Sequence, residues 1–73
     1  MNTTTALMLT LHNGDEIRIE AYEWKGARNP ETRFDIFVND NIKYQNVDEI
    51  HVLGYMAKFI SQELKLLTGS EDL

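Results

Sequence analysis

Seventy-three residues without a cysteine exclude disulfide staples and thiolate metal sites. A net charge of −5 and a pI of about 4.8 argue against a general binder of nucleic acid or anionic membrane. A hydrophobic content of 42% excludes wholesale disorder, so the chain reads as one small domain, 1–73, marginal in stability when alone.

Residues 1–5 are polar and are expected to fray. Thr5 to Leu11 alternates, with Leu7, Leu9 and Leu11 on one face and Ala6, Met8 and Thr10 on the other. That period of two predicts a strand. Its apolar run is far too short to cross a bilayer and lacks the basic start of a signal peptide. The expectation is a cytoplasmic chain with no membrane association, which the absence of cysteine suits. Asn13-Gly14 then predicts a hairpin, because both residues tolerate the positive φ of a type I′ turn. Glu16 to Trp24 alternates again, with Ile17, Ile19 and Ala21 opposed to Arg18, Glu20, Tyr22 and Trp24. Gly26 and Asn29-Pro30 mark a loop over 25–32. Arg33 to Val38 predicts a third strand, Asn39-Asp40-Asn41 a turn, and Ile42 to Tyr44 a short fourth strand.

From Asn46 to Thr68 the apolar spacing turns helical. Asn46 with Glu49 reads as a capping box, and Gly69 as a left-handed stop, before a loose tail 69–73. Gly54 is an internal weakness on the polar side, read as a tolerated surface glycine. The order ββββα predicts an α+β fold, a four-stranded antiparallel meander with one face covered by the C-terminal helix. The expected sheet core is Leu7, Leu9, Leu11, Ile17, Ile19, Phe34, Ile36, Val38 and Ile42.

The helix is too apolar for one core. Ile50, Leu53, Met56, Ala57, Ile60, Leu64 and Leu67 form a first stripe, and Val52, Tyr55, Phe59 and Leu66 a second. At about 100° per residue the two together cover roughly 220° of the circumference, whereas a helix on one core needs little more than about 100°. The first stripe is expected to meet the sheet. The second, Val52, Tyr55, Phe59 and Leu66, is then the expected interface, for a second copy in an isologous homodimer or for a different protein. Sheet curling round the helix is the competing explanation.

A second candidate surface gathers Tyr22, Trp24, Lys25, Arg28 and Arg33, residue types enriched at binding hot spots and able to stack on nucleobases between cations. The bland alternative is a Trp covering the far face of the sheet. Glu23 and Glu31 dilute the local charge, which counts against nucleic acid. His12 and His51 have no ligand or acid at telling spacing, Ser61 has no visible base, and Glu16, Arg18, Glu20, Arg33, Asp35 and Lys43 read as mixed cross-strand pairs. No catalytic residue, metal ligand or cofactor is therefore expected. The functional expectation is a non-enzymatic protein–protein interaction module, homodimeric through its helix, such as a phage-type or accessory regulator or inhibitor of a larger protein. A nucleic-acid module using Trp24, Lys25 and Arg28 is the alternative.

Overall fold

A computed structural model describes residues 2–26 and 29–68, with side chains described up to Lys65. The expectations placed on Arg28 and on the 69–73 tail with its Gly69 stop lie outside the described residues, as do the side chains of Leu66 and Leu67. Four strands, β1 (Thr4–Thr10), β2 (Glu16–Trp24), β3 (Glu31–Val38) and β4 (Asn41–Val47), form one antiparallel sheet in the order β1-β2-β3-β4. The helix α1 (Glu49–Thr68) follows. The fold is therefore the expected α+β meander capped by one helix.

Alternation governs β1 to β3. Ile17, Ile19 and Ile36 point at the helix and are almost wholly buried, and Leu7, Leu9, Leu11, Phe34 and Val38 pack around them. The intervening side chains, Met8, Arg18, Glu20, Tyr22, Arg33, Asp35 and Phe37, alternate to the opposite, outer face.

The two hairpin turns differ in kind. At the first, the Leu11 carbonyl accepts from Gly14 N–H at 2.9 Å, the Leu11 N–H donates to the Asp15 carbonyl at 2.7 Å, and Gly14 has φ +94. Asn13 is not left-handed, so this is a turn closed by a glycine bulge rather than the expected type I′ turn. The I′ signature of two successive positive φ values instead falls at Asn39 (φ 51) and Asp40 (φ 65). Asn39 ties the two turns together: its Oδ1 accepts from Glu16 N–H at 2.9 Å, and its own N–H donates to the Glu16 carbonyl at 2.9 Å.

That tight second turn corrects the expected core. It pairs Val38 with Asn41 and so sets Ile42 opposite Phe37, an outward residue. Ile42 is 45% exposed and does not join the core, because register parity carries it to the outer face. Two irregularities in β4 then restore the inward phase, so that Tyr44 and Val47 supply the core from this strand. Asn46 sits beside the bulge with φ 53 and is a strand residue, not the helix cap. The cap is Asp48. Its carboxylate accepts from His51 N–H at 2.8 Å, and its carbonyl accepts the first helical bond from Val52 at 2.9 Å.

The helix meets the sheet mainly with the second stripe, and of the stripe expected to face the sheet Met56 packs against the core. Val52 is 3% exposed, and Tyr55, Met56 and Phe59 pack against the buried cluster, with the Tyr55 ring stacked on Tyr44 at 4.2 Å between centroids and 16° between planes. Ile50, Leu53, Ile60 and Leu64 remain 81%, 57%, 46% and 53% exposed. Val47 explains the inversion: as the last strand residue it is buried, and only Asp48 separates it from the helix, so Val52 is drawn in beneath it.

Candidate interaction surfaces

Of the expected interface residues, Val52 is thus a core residue, and Tyr55 and Phe59 pack half-buried against the core. The open apolar face is the other stripe. Ile60, Leu53, Leu64, Ala57 and Ile50 follow one another round about 80° of the helix at 100° per residue, and all five are exposed. None is charged, and Gly54 lies at their margin with open space where a Cβ would stand. The half-buried Glu63 lies on the sheet side of the wheel, where its carboxylate accepts from the His12 N–H and ties the helix to the first turn.

The exposed stripe reaches β1 at Ile60, while Ile50 and Leu53 line a shallow hollow with Pro30, Glu31 and Thr32 at the start of β3. Ile60 lines a small apolar hollow with Leu7, Leu9 and Met56, so the helix flank runs continuously onto the inner face of β1. β1 and β4 are the sheet edges. β4 carries Lys43, two register irregularities and the left-handed Asn46, the devices that blunt an edge. β1 carries none of the charge: no Asp, Glu, Lys or Arg occurs before Asp15, and the strand reads Thr-Thr-Ala-Leu-Met-Leu-Thr. Its one irregularity, between Thr5 and Leu7, leaves Leu7–Thr10 in regular register. Met8, on the outer face, is 62% exposed.

The second candidate surface does assemble in space, but as an internally satisfied network. The Arg33 guanidinium lies over the Trp24 ring at 4.4 Å, pairs with Glu31 and donates to the Asn46 carbonyl at 3.2 Å. Gly26 closes over the indole, where any Cβ would overlap the ring. The Tyr22 hydroxyl donates to Asp35 at 3.1 Å, and Asp35 also accepts from the Asn46 N–H at 2.9 Å. Partial burial, and then that hydrogen bond to Asp35, push the Tyr22 hydroxyl above its ordinary pKa. Lys25 is exposed and lies 3.3 Å from Glu23. Each described cation here faces a carboxylate, which leaves little positive field for a phosphate backbone.

Most of the remaining described charges are also paired, but the buried Glu20 Oε2 has no hydrogen-bond partner. Arg18 stacks over Phe37 at 4.4 Å and pairs with Asp40. Glu20 stands directly opposite Asp35, a like-charge register, with Arg18 Nε 3.9 Å from its carboxylate. His51 Nδ1 approaches Asp48 at 2.7 Å. Among the described residues no group of three or more His, Asp or Glu side chains could hold a metal ion, and no helix is long and apolar enough to cross a membrane.

Comparison with protein-family models, with curated proteins and with solved structures gives no significant match.

Proposed function

We propose that this chain is a non-enzymatic protein–protein interaction module that self-associates through its C-terminal helix. The observation that carries the reading is the charge-free flank of Leu53, Ala57 and Ile60, continued by Ile50 and Leu64, which the fold leaves in water. Fully burying a Leu or Ile side chain is worth about 1.5–3 kcal/mol, a large return for a small domain.

Charge permits a second copy on this flank, which presents no acid to its mate in a chain of net charge −5.

The test is solution mass by light scattering across a concentration series, for the wild type and for Leu53→Asp with Ile60→Asp. The expected result is a wild-type dimer at low micromolar concentration and a variant that is monomeric, with unchanged circular dichroism. A wild-type monomer throughout the series defeats the reading.

A further inference from the structure

We propose that β1 pairs with β1 of a second copy, joining the two sheets into one eight-stranded antiparallel sheet with both helices on the same face. This rests on the self-association proposed above and specifies its geometry.

Four observations lead there. β1 is an edge strand, so one side of its backbone has no strand partner among the described residues. Unmet backbone groups on such an edge are a template for another strand. β4, the other edge, is blunted by Lys43 and two irregularities, so the sheet is extendable from one side only. The first fourteen residues bear no Asp, Glu, Lys or Arg, so two copies of β1, like two copies of the apolar helix flank, meet without like-charge repulsion. Finally, the apolar helix flank adjoins this same edge through the hollow that Ile60 shares with Leu7 and Leu9. Ile60, at one margin of the apolar flank, therefore lies beside the open edge of the sheet, while Ile50 and Leu53 lie toward the start of β3.

Parity fixes the register. A two-fold axis between antiparallel strands must keep inward residues opposite inward residues, since a one-residue slip turns every side chain to the wrong face. Met8 opposite the partner's Met8 meets that condition and is central to the regular segment Leu7–Thr10. Leu7 then stands beside Leu9 of the partner subunit on the helix side, extending the floor on which Ile60 rests. Met8, 62% exposed in one chain, is covered by its symmetry mate on the outer face.

The absence of cysteine makes the geometry directly measurable. Directly opposed residues in antiparallel strands have Cα atoms about 4.5–5.5 Å apart, within the span of a disulfide. The full-length Met8→Cys chain, exposed to a mild oxidant at a concentration where the wild type is dimeric, is expected to convert almost wholly to a covalent dimer. The Lys43→Cys chain, with its thiol on the other edge, is expected to stay uncrosslinked. Hydrogen exchange of the wild type should show β1 amides slowing as concentration rises through the dimerisation range.

A wild-type dimer in which Met8→Cys crosslinks no more than Lys43→Cys, and in which β1 amides exchange as a free edge, overturns the strand pairing and leaves helix-mediated association standing. A wild type that is monomeric at every concentration overturns both.

Discussion

Trp24 shows how single residues decide what the outer sheet face can do. In sequence it stands beside Lys25, Arg28 and Arg33 and reads as an aromatic anchor among cations. In the fold Arg33 covers one side of the indole at 4.4 Å, and the Gly26 backbone closes on it. Gly26→Ala must displace that ring, because the new Cβ would occupy its space. The atoms that must move are the far end of a half-exposed side chain, so the cost falls near or below the lower end, about 1 kcal/mol, of core overpacking. The expected outcome is a lower midpoint in chemical denaturation and a red-shifted Trp24 emission as the indole leaves Arg33. An unchanged spectrum and midpoint would show that the ring is not held there. The like-charge register of Glu20 and Asp35 could not be foreseen, because it depends on strand register rather than on composition.

Among the elements, those with unbroken periodicity were legible and those with irregularities were not. Alternation in 5–11, 16–24 and 33–38 identifies β1, β2 and β3 and the inward set Ile17, Ile19 and Ile36. In β4 the inward residues Tyr44 and Val47 stand three apart, so the alternation that would reveal them is broken by the bulge at Asn46. The strand therefore looked short, its end looked like helix, and Asn46 looked like a cap. Asp48 is the cap, and it has a titration consequence. The bonds from His51 N–H and the His51 ring lower the Asp48 carboxyl below its ordinary 3.8. A depressed folded value means that the cap stabilises the helix fully above the unfolded value and stops doing so as pH falls through the folded one. Asp48→Asn keeps a capping side chain that does not titrate. The difference in melting temperature between wild type and Asp48→Asn is therefore expected to favour the wild type at neutral pH and to shrink once pH drops below 3.8. A difference independent of pH would show that the carboxylate is not the capping group.

At the scale of the whole molecule, a helical wheel gives the width of an apolar arc but not the direction in which the helix is docked. Two stripes were visible, and either could have faced the sheet. The choice was made outside the helix: Val47 enters the core one residue before the Asp48 cap, Tyr44 stacks on Tyr55, and Glu63 reaches the His12 N–H. These three tie-points rotate Val52, Tyr55 and Phe59 inward and turn Leu53 and Ile60 out. The assignment predicts opposite consequences for two charge substitutions of similar kind. Phe59→Asp places a carboxylate against the buried cluster and removes a ring whose loss from a fully buried site typically costs about 3–5 kcal/mol. A 73-residue chain has roughly 4–11 kcal/mol of total stability, so this variant is expected to lose most of its cooperative melt. Leu53→Asp alters a residue that is already 57% exposed, so the monomer fold is expected to persist while apparent mass falls toward that of one chain. Far-ultraviolet circular dichroism melts and light scattering on the same samples check both arms. A folded Phe59→Asp together with an unfolded Leu53→Asp would mean that the helix docks through the Leu53 stripe, and the self-association surface would have to be sought on the Val52 ridge.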